Sequence, residues 1–272
     1  MKEEEGLIKK DTLGPSTTAK DGRSTVRAYI NKYRTETGNN QAIYHQNVIK
    51  ALSLERMESY GDCKTDPKLV LARYILNRAL CESLYQSLQS CEVALRNSIH
   101  QYLVVQLKQE NWFDSPYFEL SPWAKEQVEG AKKKIRKTKR VTAGRIVAEL
   151  HFGFWTSLFE AHYEQKTLFL PGGIKGVFPH MPKSLHKRKQ IKSSLDKIRA
   201  LRNRVFHYER IIHWEDLEDQ HRLIHDTIGY INPELLYLSE YGDSFIKTRK
   251  DGLDPWLEHL DEHWKEISGE ER

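Results

Sequence analysis

The chain has 272 residues, 39% hydrophobic and 30% charged, a mixture that supports a sizeable core and excludes a disordered polymer. No stretch approaches 18 apolar residues, and the amino terminus MKEEEGLIKK lacks the apolar run of a secretory signal, so a cytoplasmic protein with no membrane segment is expected. Cys63, Cys81 and Cys91 make neither an even disulfide framework nor a closely spaced metal pair, and the net charge of +5 is modest, so the cysteines read as reduced and structural.

Residues 1 to 22 mix charge with Gly, Ser, Thr and Pro and show no apolar period, the pattern of a flexible tail. A helix is expected from about 40 to 60. Asp66 followed by Pro67 is a helix start, a capping carboxylate with proline at the first helical position, and apolar residues then recur at helical spacing as far as Leu107, with at most one break. Further helices are expected at about 122 to 138, 142 to 162, 184 to 207, 214 to 230 and 254 to 267. Turn signals at Pro171-Gly172-Gly173 and Asn232-Pro233 separate them. Nothing reads as a strand, so the fold class is all-α. The absence of a glycine-rich phosphate loop or dinucleotide fingerprint weighs against the usual nucleotide-dependent enzymes.

Charge is unevenly spread. Seven of the ten residues from Ala131 to Arg140 are basic: Lys132, Lys133, Lys134, Arg136, Lys137, Lys139 and Arg140. A second cluster holds Lys183, His186, Lys187, Arg188, Lys189 and Lys192, whereas residues 251 to 272 are strongly acidic. The basic run, with Lys187, Arg188 and Lys189, could neutralise RNA phosphates. The alternative is an ordinary solvated helix face and turn.

From Lys187 to Tyr208 the apolar residues Ile191, Leu195, Ile198, Leu201 and Val205 mark an inward face. Arg202 takes the next step of the series Ile191, Leu195, Ile198, so a guanidinium stands where a leucine is expected. It requires an acid such as Glu209 or Glu92, a subunit interface or a bound phosphate. His207 lies four residues beyond Asn203 and shares its face. Arg202 and His207 are about 140° apart around the helix at roughly 100° per residue, so long arginine reach or a second copy of the helix would be needed to bring them together. The chemistry suits RNA: histidine can take or give the 2′-hydroxyl and leaving-group protons, and arginine grips phosphate with two parallel donors. Read without further context, a solvated histidine at a helix end and an ion-paired arginine account for the same residues.

The segment Arg202-Asn203-Arg204-Val205-Phe206-His207 resembles the R-x4-H signature of HEPN ribonucleases. Three blocks carry the likeness further: Glu92-Val93-Ala94-Leu95-Arg96-Asn97; Val147 to Trp155 followed by Leu158-Phe159; and Phe178-Pro179-His180. Their order and spacing are similar to those of the Abi-like family of bacterial abortive-infection proteins, over residues 41 to 240. The resemblance implies a HEPN-like helical bundle with additional helices, occupying residues 23 to 240 and followed by an acidic helical extension at 241 to 272. It implies a homodimer that joins two R-x4-H helices and a cytoplasmic, metal-independent endoribonuclease of anti-phage defence leaving a 2′,3′-cyclic phosphate. No cofactor or metal is expected. Arg202 and His207 would be the catalytic pair and Asn203 the orienting residue. Glu92, Arg96 and Asn97 would support them, although Glu92 and Arg96 at i and i+4 could equally form a helix ion pair. A noncoding regulatory RNA and an inhibitory antitoxin are conceivable partners, and a HEPN-like module that binds RNA or protein without cutting is the alternative.

The tripeptide Leu95-Arg96-Asn97 echoes Leu201-Arg202-Asn203, but His100 breaks the longer spacing, so the first helix is not a second R-x4-H centre. Phe152, Phe154 and Trp155 could stack on bases. Placed in one amphipathic helix with Val147, Leu150, Leu158 and Phe159, they read better as core. His259-Leu260-Asp261-Glu262-His263 fits the H-x-x-E-H zinc pattern, yet only nine residues follow and the segment reads as a charged helix. His221 and His225 share the i, i+4 spacing and are read in the same way.

Overall fold

The computed structural model describes residues 40–137, 139–164 and 172–268; the expected tail at 1 to 22 and Pro171 lie outside them. Twelve α-helices and no strand are found among the described residues. They are α1 (Gln41–Ala51), α2 (Leu54–Glu58), α3 (Pro67–Leu107), α4 (Pro122–Arg136), α5 (Ala143–Glu149), α6 (Phe152–Ser157), α7 (Gly173–Val177), α8 (Arg188–Phe206), α9 (Leu217–Ile231), α10 (Pro233–Glu240), α11 (Phe245–Asp251) and α12 (Asp254–Ser268). None is long and apolar enough to cross a membrane.

Several helix ends follow from local chemistry. Asp66 accepts the Leu69 N–H at 2.9 Å, and α3 then runs for 41 residues without a break. Thr142 and Ser121 cap α5 and α4 in the same manner. The segment expected as one helix from 40 to 60 divides at Leu52 and Ser53, where Ser53 takes φ 76°. The helix expected at 142 to 162 also divides, because Leu150 turns extended and the Trp155 indole N–H satisfies its freed carbonyl at 3.2 Å. Residues 183–185 form a 3-10 turn, so α8 begins at Arg188. Asn232-Pro233 is more than a turn: Asn232 ends α9 and caps α10 through Leu235 N–H, with Pro233 in the first turn. Sequence periodicity misses α7, α10 and α11, of five, eight and seven residues, too short to display a helical stripe.

The described residues fall into two compact units, those within Met1–Leu71 and Leu257–Arg272, and those within Ala72–Trp256. In the first, Lys68 meets Asp261 at 2.6 Å, Tyr44 reaches His263 at 3.2 Å, and Ile49, Met57, Leu260, Trp264 and Ile267 are buried. In the second, α3 presents Leu80, Leu84, Leu88, Cys91, Leu95, Ile99 and Leu103 at steps of three and four to one core. The same core receives Ile191, Leu195, Ile198, Leu201 and Val205 from α8, the inward face read from the sequence. Phe152, Phe154, Trp155, Leu158 and Phe159 are all buried there, so the aromatic block is core and offers no base-stacking platform. α8 packs against α6 and α9, which fixes the orientation of its remaining face.

Candidate functional site

Leu201 is fully buried, so the residue after it emerges at the edge of the core. Arg202 sits there with its side chain 23% exposed and donates from Nε to Glu92 Oε2 at 3.2 Å, across 110 residues of sequence. Its Cζ lies 4.3 Å from the centre of the Phe206 ring, and Phe206 in turn stacks on Tyr85 at 5.1 Å. The guanidinium is thus held on one edge by charge and on one face by an aromatic ring. Its two terminal amino groups make no bond among the described residues, leaving the fork that could grip a phosphate.

Glu92 and Arg96, spaced for a helix ion pair, do not form one among the described residues; Glu92 serves Arg202, the other helix's arginine. Arg96 Nε is buried with no hydrogen-bond partner, and Asn97 is exposed. The echoed tripeptides therefore share their leucine anchors and part ways at the arginine. Asn203 and His207 are both exposed, and their side chains make no hydrogen bond among the described residues. Arg204 pairs with Glu209, which removes Glu209 as a partner for Arg202.

His207 is the C-cap of α8, one residue past Phe206, its N–H bonded to Asn203 O at 2.9 Å. Tyr208 follows at φ 58°, a left-handed conformation that turns the chain out of the helix, and the residue is 74% exposed. The next residues are pinned by Asn77 of α3. Its Oδ1 accepts from Ile211 N–H at 2.7 Å and Ile212 N–H at 3.1 Å, while its Nδ2 donates to Glu209 O at 3.2 Å. Asn77 is 2% exposed, so this amide is a buried clamp on the segment leaving His207. The sequence signal for it was an Asn between Leu76 and Leu80, close to the buried face of α3.

The basic residues split into two kinds. Lys133, Lys134, Arg136, Lys137, Lys139, Arg140, Lys187 and Lys189 are exposed, although Lys134 pairs with Glu149. Lys132 is 11% exposed and meets Asp114 at 2.6 Å and Glu129 at 2.8 Å; Arg188, equally covered, donates to Phe159 O at 3.0 Å. Those two are held by partners within the fold.

One further constellation lies in the Ala72–Trp256 unit. His221 and His225 on α9 converge with Asp243, which follows α10, as a group of potential metal ligands. Burial pushes the Asp243 carboxyl up, but hydrogen bonds from His221, His225 and the Phe245 N–H outweigh it and hold the group well below the usual carboxylate range. His259 and His263, the pair in the H-x-x-E-H pattern, gather no third ligand among the described residues. Burial pushes the Cys81 thiol up to about 11 and, with help from the neighbouring Glu92, that of Cys91 to about 12, consistent with inert structural cysteines.

No family model, no curated protein and no solved structure matches the chain.

Proposed function

We propose that the chain is a metal-independent endoribonuclease of bacterial abortive-infection defence, with Arg202, Asn203 and His207 as its centre. The observation that carries the reading is the state of Arg202: Glu92 and Phe206 fix its Nε edge and one face, while both terminal amino groups stay available. A scissile phosphate meeting that fork would be held before reaction, with the charge of the phosphorane compensated as it develops. His207 takes the proton of the 2′-hydroxyl, the 2′-oxygen attacks phosphorus, and the P–O5′ bond breaks. The leaving oxygen gains a proton, giving a 2′,3′-cyclic phosphate and a 5′-hydroxyl. A second chain in a homodimer would supply the other histidine, one acting as base and one as acid. Asn203, one turn back on the same face, would orient the substrate.

Single-stranded RNA incubated with the purified protein in EDTA tests the reading. Cyclic-phosphate products are expected, and their persistence in His207→Ala would remove His207 from the chemistry. A second reading, a module that binds a noncoding RNA or a protein partner such as an antitoxin without cutting, is favoured by the eight exposed basic residues. It predicts RNA affinity that falls steeply with salt, with a log–log slope of about −0.7 per phosphate neutralised, and is indifferent to His207→Ala.

A further inference from the structure

We infer that His221, His225 and Asp243 form a binding site for one divalent transition-metal ion, zinc in the first instance, separate from the Arg202 centre. His221 and His225 stand one turn apart on α9 with ring centres 4.2 Å from each other. Their Nε2 atoms lie 2.6 Å and 3.0 Å from the same oxygen, Asp243 Oδ2. Ser87 Oγ of α3 is 3.1 Å from that oxygen and 3.4 Å from His225 Nε2. The other carboxylate oxygen accepts the Phe245 N–H at 2.8 Å, which aims Oδ2 at the histidines.

Hydrogen bonding alone explains this arrangement poorly. Three donors would converge on one carboxylate oxygen that has two lone pairs. If His225 donates from Nε2 as a neutral ring, its Nδ1 carries a lone pair, and Nδ1 lies 3.8 Å from the Glu240 carboxylate, so acceptor faces anion. A doubly protonated His225 could donate to both carboxylates beside a neutral His221, but that arrangement would hold a charge in a nearly closed site, with side chains 8% and 14% exposed.

A metal ion resolves each point. Both Nε2 lone pairs and Oδ2 become ligands, His225 takes the Nδ1–H tautomer, and Glu240 becomes the carboxylate that orients a metal-bound imidazole. Ligand atoms on a tetrahedral zinc lie about 3.3 Å apart, given Zn–N bonds of about 2.0–2.1 Å. The ligand atoms here are all within 4.8 Å of one another, so small side-chain rotations suffice. Ser87 Oγ or a water would complete four-coordination. The ion would tie α9 to the turn after α10, with α3 alongside.

The test is metal content of the full-length protein, purified without an affinity tag or chelating resin, by elemental analysis and by equilibrium dialysis at about 10 µM free zinc against a competing chelator. One zinc per chain is expected. Binding should weaken at least about 100-fold in His225→Gln, and about 10-fold in Glu240→Gln, whose exposed side chain makes a folding defect no obstacle. His259→Ala with His263→Ala should bind as the parent does. Long-range ¹H–¹⁵N spectra of the zinc-loaded parent should show two histidines metal-bound at Nε2 with Nδ1 protonated. A parent chain that takes up no zinc overturns the inference. So does zinc held equally by His225→Gln, or zinc lost with His259 and His263. None of these readouts involves RNA, so failure here and failure of the ribonuclease reading are separate results.

Discussion

The two histidine settings of the Ala72–Trp256 unit differ in almost every physical respect. His207 is exposed at a helix end, with no side-chain partner among the described residues, and stands out in the sequence through the Arg five residues before it. His221 and His225 are largely covered, share one carboxylate with each other, and stand out in the sequence only through their i, i+4 spacing. A group that does chemistry on a polymer must be reachable and able to exchange protons. A group that holds a framework together gains from being enclosed and fully bonded. On the proposed ribonuclease reading, exposure separates the two roles better than residue type does.

The widest separation is expected from a pair of substitutions. On the proposed ribonuclease reading, His207→Ala should lower RNA cleavage about 10²–10⁴-fold in a gel assay, while leaving stability within about 0.5 kcal/mol, as for other exposed sites. Asp243→Ala should do the reverse in urea unfolding, costing about 2–4 kcal/mol because two enclosed imidazoles lose the carboxylate they share. If Asp243→Ala costs under about 0.5 kcal/mol, the contrast between the settings fails.

Asn77→Ala comes next. It strands buried N–H groups at Ile211 and Ile212, for about 2–3 kcal/mol in the same unfolding measurement. It also frees the segment after His207, so cleavage should fall with it; an unchanged rate would show that His207 needs no such pin. Glu92→Gln keeps the shape of the acid but removes its charge from Arg202, and a loss of about 1–2 kcal/mol is expected.

The smallest effect is a pH dependence. His100 accepts the Trp112 indole N–H on Nδ1 at 3.0 Å, and burial lowers its affinity for a proton, partly offset by Glu110. The unfolded chain binds that proton more readily, so the contribution is complete above about pH 6.5 and is lost as pH falls below it. Thermal melts from pH 8 to pH 5 should show the decline, and His100→Gln, which can still accept the bond, should flatten it.

How much of this was legible depends on distance along the chain. The inward face of α8 and the core role of Phe152, Phe154 and Trp155 could be read because both are periodic and local. Glu92 could be named as one of two acids able to meet Arg202, but only the packing of α8 beside α3 chose it over Glu209, which went to Arg204. Asp243 was out of reach because the α9–α10 hairpin, not a spacing rule, carries it back to His221 and His225. α10 itself was hidden, since Asn232 and Pro233 serve the end of one helix and the start of the next with the same two residues.

Tyr208 shows what such a helix exit implies for engineering. Its left-handed backbone favours glycine, and a bulky residue holds it at a cost of about 1–2 kcal/mol. On the ribonuclease reading, the exposed ring beside His207 is suited to stacking a nucleotide base. Replacing it with glycine would relax the backbone and discard the aromatic surface in one step. Improvement of thermal tolerance and retention of substrate would then pull in opposite directions at a single codon.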